Sequence, residues 1–153
     1  MSADAGSAAE DGSVFRLPLQ TERFFLEPLT PKDFNALYAV AGDPLLWEQH
    51  PEADRWKRSK FRHFFQDGLT NDLGCFVIKE KRSGRPAGSI RFYGFNEADR
   101  CIGIGSTFIA RELWGTAANR EIKEAMLMRA FKVVGRFFLI SDLKISGLSP
   151  PLR

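Results

Sequence analysis

Residues 111–123 constrain the fold more than any other part of the chain. They read RELWGTAANREIK and follow a strand-like run that ends in Phe108 and Ile109. Gly115, Ala117 and Ala118 are small, so a ligand can approach the backbone closely at this turn. A helix is predicted to begin near Ala118, which directs free N–H groups and the positive end of the helix dipole back at the turn.

This arrangement of strand, turn and helix start is typical of a phosphate-binding loop. An ordinary strand-to-helix connection has the same appearance, because small residues there also serve packing. The turn by itself leaves both interpretations open.

The pattern along the chain predicts one mixed α/β domain. Its elements are a strand at 23–29, helices at 30–41 and 55–67, strands at 75–79, 87–95 and 101–110, a helix at 118–134 and a strand at 137–140. Turn-forming segments at 83–86 and 96–100 predict that the three middle strands form an antiparallel meander. Gly103 and Gly105 indicate a bulge, or a place where another group approaches the backbone.

Composition argues against several classes of function. The net charge is +3 over 153 residues, a mild excess for a nucleic-acid binder, and no apolar run is long enough to span a membrane. His50, His63, Cys75 and Cys101 lack metal-ligand spacing, so no metal site is predicted. The two cysteines are expected to be reduced core residues of a cytoplasmic protein.

Two further features admit two interpretations each. The predicted second helix has a basic side, typical of a solvated face and also able to attract an acidic partner; its cations are Arg55, Lys57, Arg58, Lys60 and Arg62. Trp47 and His50 lie in a loop, where they either line a pocket or close the end of the core. Composition alone favours closure of the core.

Four segments carry a more specific pattern. They are GDPLLWEQHP at 42–51, GSIRFY at 88–93, IGSTFIA at 104–110 and WGTAANREIK at 114–123. In this order they resemble the GNAT superfamily of acetyl-CoA-dependent N-acetyltransferases, and more closely its branch related to ribosomal-protein alanine N-acetyltransferases. The β-α-α-β-β-β-α-β order of predicted elements is similar to that of the family.

The resemblance implies a mixed, mainly antiparallel sheet flanked by helices, an α/β (α+β) fold. It divides the chain into a flexible tail at 1–17, the acetyltransferase-like domain at 18–140 and a divergent tail at 141–153. The last helix and strand of the family are expected to be absent. A shifted reading frame or a truncation is one explanation, and a homodimer in which a partner chain supplies the surface is the other.

The resemblance also implies a site for acetyl-CoA as co-substrate. The family's loop reads Q/R-x-x-G-x-G/A, and here Trp114, Ala117 and Asn119 take its first, glycine and last positions. The change from glycine to alanine is tolerated if φ is negative there. The implied contacts are the pyrophosphate with Trp114, Gly115, Thr116, Ala117, Ala118 and Asn119, the pantetheine arm with Phe108, Ile109 and Ala110, and the acceptor with Trp47, His50, Phe92 and Tyr93.

The implied reaction is direct attack of a primary amine on the thioester, the amine belonging to a small molecule or a protein N-terminus. Related sequences often carry Glu where this chain has Gly103, so another group must take the amine's proton. Glu48 and His50 are weak candidates for that base. The alternative is a non-catalytic acyl-CoA-binding or protein-interaction module of the same fold.

Overall fold

The described residues are organised around a six-stranded sheet. The computed structural model describes residues 14–96, 98, 101–134 and 138–141. The strands are β1 (Leu19–Gln20), β2 (Phe24–Pro28), β3 (Cys75–Glu80), β4 (Pro86–Asn96), β5 (Cys101–Ile109) and β6 (Phe138–Ser141). They pair in chain order, antiparallel from β1 to β5, and β6 lies parallel to β5. The predicted meander is thereby confirmed.

The helices whose full bounds are described are α1 (Phe34–Ala41), α2 (Arg58–Leu69) and α3 (Ala118–Val134), and they flank the sheet. The start of α1 follows the sequence signal, because a short 3₁₀ turn at Pro31–Asp33 precedes it and the Asp33 carboxylate accepts the Thr30 backbone N–H at 2.8 Å. The prediction that α2 begins at Arg55 was wrong. Residues 53–56 form turns instead, in which the Lys57 N–H bonds to the Asp54 carbonyl.

The two faces of the sheet bury different cores. On one face, α3 packs its buried side chains Ile122, Met126 and Ala130 against Ile90, Phe92, Ile102 and Ile104 of the central strands. Phe15 joins this core, although the sequence placed it in a tail, and its ring lies 4.9 Å from that of Phe92. The rest of the two predicted tails, 1–13 and 142–153, lies outside the described residues.

The opposite face carries an aromatic core beneath α1 and α2. Its buried rings are Phe34, Trp47, Phe61, Phe64, Phe65 and Phe108, and the strands contribute Val77. Cys75 is also buried, as predicted, and burial raises the pKa of its thiol.

A β-bulge in β5 changes which of the two cores the side chains of this strand enter. Ser89 pairs with Phe108 but Arg91 pairs with Gly105, so three steps along β5 oppose two along β4. Ser106, inside the bulge, has a φ of +51°. Side chains alternate between faces along a regular strand. The extra residue therefore turns Phe108 towards α2, whereas Ile104 faces α3.

One carboxylate fastens α3 to the segment before β2. Glu121 accepts hydrogen bonds from the Thr21 hydroxyl at 2.5 Å, the Arg23 backbone N–H at 2.8 Å and the Arg23 Nε at 2.9 Å. Burial of the carboxyl group raises its pKa, but these donors outweigh that effect, so the pKa of Glu121 lies below its usual value.

The Glu121→Gln variant is expected to be less stable than the unmodified chain by about 1 kcal/mol near neutral pH. A depressed pKa in the folded state adds stability above the unfolded pKa, and that stability is lost as the pH falls through the folded value. The difference in unfolding free energy should therefore shrink as the pH is lowered from about 5 towards 3. Denaturant titrations across this range measure it, with Glu124→Gln, an exposed position on α3, as the control. Equal stability of Glu121→Gln and the unmodified chain at pH 7 would contradict the assignment.

Candidate functional site

A cleft of about 1040 Å³ opens where β5 ends. Three stretches line it. The loop side consists of Leu46, Trp47, Gln49, His50, Pro51 and Arg55; the strand end consists of Ser106, Thr107, Phe108 and Ile109; and the turn side consists of Leu113, Trp114, Gly115, Thr116, Asn119 and Lys123. The salt bridge between Arg111 Nε and Asp43, 2.5 Å long, joins the segments that carry the turn and loop sides.

The turn side is shaped by local backbone constraints. Gly115 has a φ of +79°, which favours glycine. The Thr116 hydroxyl donates to the Leu113 carbonyl at 2.6 Å and accepts the Ala118 N–H at 3.1 Å, so it caps the start of α3. The φ of Ala117 is not positive, because Ser106 is the only non-glycine residue with a positive φ in the described ranges. Its φ therefore meets the condition under which alanine can replace the family's glycine.

Donors for an anion remain available at this turn. Among the residues that the structure describes, none accepts a hydrogen bond from the backbone N–H of Gly115 or Ala117. Both precede α3, whose dipole places positive potential at the same point. The geometry thus agrees with a phosphate-binding loop and not only with a packing turn.

The charge of the cleft has one sign. Arg55 and Lys123 line it, and no Asp or Glu is among the lining residues described above. Lys123 lies on the second turn of α3 and is 1% exposed. The charges of Arg55 and Lys123 and the positive end of the α3 dipole add up to a positive potential in the cleft. This cleft therefore favours a negatively charged ligand.

A further polar atom belongs to the strand end. The Thr107 Oγ1 is buried and has no hydrogen-bond partner among the described residues, yet Thr107 lines the cleft. A buried hydroxyl without a partner costs stability. A ligand in the cleft could accept its hydrogen bond or donate to it.

The structure brings most of the sequence-predicted site residues together. The cleft is lined by Trp47, His50, Phe108, Ile109, Trp114, Gly115, Thr116 and Asn119. Trp47 fits both interpretations that the sequence allowed, closure of the core and lining of a pocket. It is 2% exposed in the aromatic core, where its Nε1 donates to the Ala41 carbonyl, and it also lines the cleft.

Other predicted residues do not reach the cleft surface. Phe92 is buried in the core beneath α3, Ala118 is buried in the same core, and Glu48 is exposed outside the cleft. Ala110 and Ala117 are also outside the lining set. Tyr93 lies over its strand partner Gly103, where an added Cβ would come within 2.6 Å of the tyrosine ring. That ring fills the space a glutamate at position 103 would need.

Contacts with Trp47 and Glu52 help to orient His50. Its ring meets Trp47 edge-on at 5.4 Å between centroids, and its Nδ1 accepts the Glu52 backbone N–H at 2.9 Å. A neutral imidazole that accepts at Nδ1 carries its proton on Nε2. In this tautomer Nε2 carries a hydrogen and Nδ1 already accepts one, so the imidazole is not arranged to remove a proton.

Sequence reasoning missed Arg55 and Lys123 as cleft residues. Arg55 was assigned to a basic helix face, because the second helix was predicted to begin at this residue. Lys123 follows the buried Ile122 directly, and a cation inside an apolar helix stripe was the available signal. Among the described residues no group of three potential metal ligands occurs, and no described helix is both long and apolar enough to cross a bilayer.

Comparisons with known proteins point in one direction. Residues 23–144 match the family model described as acetyltransferase (GNAT) domain. The fold is similar to a GCN5-related N-acetyltransferase from Brucella melitensis, with 22% identity, a TM-score of 0.69, and coverage of 80% of this chain and 58% of that one. An acetyltransferase of the GNAT family from Bacillus anthracis gives 17% identity, a TM-score of 0.66, and coverage of 80% and 72%.

A third similar structure is a spermidine N-acetyltransferase chimera from Vibrio cholerae and hSSAT. Its identity is 15%, its TM-score is 0.58, and 82% of this chain and 76% of that chain are covered. The chain thus spans between 58% and 76% of the length of these proteins.

Proposed function

The chain belongs to the acetyltransferase (GNAT) family, and from this premise we propose that it is an N-acetyltransferase that moves the acetyl group of acetyl-CoA to a primary amine. The observation that carries the proposal is the cleft at the end of β5. The backbone N–H groups of the turn side and a buried cation meet there, and none of the described lining residues is a carboxylate.

Acetyl-CoA fits the residues present. The turn side, from Trp114 to Asn119, would hold the pyrophosphate through the N–H groups of Gly115 and Ala117, and Lys123 would add a positive charge from α3. At the strand end, the backbone of Phe108 and Ile109, continued by Ala110, would pair with the pantetheine arm. When bound, acetyl-CoA supplies the acetyl thioester.

The loop side would position the acceptor. Trp47 and His50 present an aromatic surface at the cleft. The amine nitrogen attacks the carbonyl carbon, the bond from carbon to sulfur breaks, the amine loses a proton and the CoA thiol gains one. Holding the amine next to the thioester is the main source of rate here, because the described cleft offers no carboxylate as a base.

The same observation favours a second candidate, an acyl-CoA-binding module without turnover. A protonated amine cannot attack, and Tyr93 occupies the space of the glutamate that related sequences often carry. Such a module would bind acetyl-CoA and leave it intact.

Acetyl transfer itself is the test. The full chain is incubated with acetyl-CoA and a panel of amines that includes an alanine-starting peptide, free amino acids and spermidine. We expect free CoA thiol and acetylated amine to form together, in equal amounts, and only when both substrates and protein are present. Binding of acetyl-CoA without any acetylated product would exclude the enzyme and leave the module.

A further inference from the structure

Arg55 is held at the cleft by aromatic rings and not by ion pairs. Its guanidinium carbon lies 4.4 Å from the ring centroid of Phe64 and 5.4 Å from that of Trp47. In the described part of the chain the guanidinium makes no hydrogen bond and no ion pair. Stacking fixes the plane of a guanidinium while its N–H edge stays available, which is the geometry that binds a carboxylate in a bidentate manner.

A second guanidinium contacts the same ring. Arg91 is only 9% exposed, and its guanidinium carbon lies 4.8 Å from the centroid of the Phe64 ring. Its Nη2 donates to the Phe64 carbonyl at 3.3 Å, and its Nε has no partner among the described residues. Two cations at one ring repel each other, so an anion next to Arg55 would relieve an unfavourable interaction.

Charges of both signs act on Arg55, but no described carboxylate forms an ion pair with it. Burial lowers the pKa of its guanidinium, the carboxylate of Glu52 raises it, and the charge of Arg91 lowers it again. Glu52 and Asp54 are close enough to act on Arg55, yet neither pairs with it, and Asp54 bonds to Lys60 instead. The N–H edge of Arg55 is left for a ligand.

The position of Arg55 indicates which ligand that is. The phosphates and the pantetheine arm of acetyl-CoA are assigned to the turn side and the strand end, and Arg55 belongs to the loop side, together with Trp47 and His50. The acceptor is therefore the molecule that meets Arg55. A polycationic amine would find two cations and no carboxylate among the residues that line this cleft.

We propose that Arg55 binds a carboxylate of the acceptor, so that the substrate is an amine that also carries a negative charge and not a polyamine. This inference rests on the proposed acetyl transfer. Two sources supply such a group, a free amino acid and a peptide with an acidic residue beside its N-terminus. They share the chemistry of a carboxylate near a primary amine.

The experiment compares amines that differ only in the carboxylate. Alanine is compared with alaninamide, the amide of Ala-Asp with the amide of Ala-Asn, and spermidine is included. We expect kcat/KM for the carboxylate member of at least one pair to exceed that of its neutral partner by about tenfold, the effect of one charge-assisted pair. The first pair reports a free amino acid and the second an acidic peptide. Equal values within both pairs, or a preference for spermidine, would overturn the proposal.

Variants connect the preference to Arg55. Arg55→Gln should lower kcat/KM about tenfold more for the carboxylate member than for its neutral partner, through a higher KM, whereas Arg55→Lys should restore part of that difference. Arg62→Gln is the matched control, because Arg62 also stacks on an aromatic ring, Phe34 at 4.2 Å, but does not line the cleft. A preference that survives in Arg55→Gln would assign it to another residue.

A binding measurement separates this proposal from the proposed function. N-acetylalanine and N-acetylalaninamide are titrated calorimetrically into the full chain, with and without CoA. If no amine is acetylated but N-acetylalanine binds more tightly and loses that advantage in Arg55→Gln, acetyl transfer fails and the carboxylate site stands. If amines are acetylated, but neither the carboxylate amines nor N-acetylalanine is preferred over the neutral partner, the carboxylate site is excluded and the proposed function stands. Absence of both transfer and preference overturns both.

Discussion

Replacement of Gly88 by alanine is expected to destabilise the chain by about 3 kcal/mol, the upper end of the usual cost of overpacking. A Cβ at this position would lie 2.0 Å from the carbonyl oxygen of Phe108 and 3.0 Å from the Cα of Ile109. Both contacts are with backbone, which cannot rotate away as a side chain does. Gly88 faces Ile109 in the register, at the point where the bulged strand enters the cleft.

Denaturant titration of Gly88→Ala measures this cost. Gly84→Ala is the control, because Gly84 has a φ of +75° but no atom within 4 Å of an added Cβ. Its expected cost is only the left-handed backbone strain of about 1 kcal/mol. If Gly88→Ala costs no more than Gly84→Ala, the close pairing of β4 with the bulged end of β5 is not present in solution.

Replacement of Lys123 by methionine is expected to weaken acetyl-CoA binding by about thirtyfold, in the range found when a charged hydrogen bond is lost. Lys123 places a cation at the cleft, and methionine keeps most of its length and flexibility without the charge. Binding of acetyl-CoA should be weakened and not abolished, because the N–H groups of the turn side remain.

Calorimetric titration of the variants with acetyl-CoA gives the dissociation constants. Lys123→Arg keeps the charge and should retain much of the affinity. Lys132→Met removes an exposed cation from the last turn of α3 and should bind as the unmodified chain does. Unchanged affinity in Lys123→Met would show that the buried cation does not meet the phosphates.

Local pattern was sufficient for much of the fold. The α3 bounds, the meander and the turn at Gly115 follow from signals within a few residues, such as apolar period, turn composition and small residues before a helix start. The phosphate interpretation of that turn also depended on short-range geometry, which is why the residues from Trp114 to Asn119 could be proposed from the sequence.

Features that depend on non-local packing could not be read in this way. The glycines of β5 indicated a bulge, but the face that Phe108 takes depends on its register with Ser89. The basic residues before and within α2 looked alike, and only the fold distinguishes Arg55 at the cleft from Arg62 on the surface. Phe92 points into the core, because side chains alternate between the two faces along β4. The motif GSIRFY at 88–93 did not show which face Phe92 would take.

The central claim, that this cleft holds acetyl-CoA, is tested most directly by calorimetric titration of acetyl-CoA into the unmodified chain. We predict saturable binding at one site. At a free concentration of about 100 times the dissociation constant, acetyl-CoA should also stabilise the fold by roughly 2.7 kcal/mol. A chain that unfolds cooperatively but shows neither heat of binding nor a shift in its melting temperature at millimolar acetyl-CoA would contradict the claim.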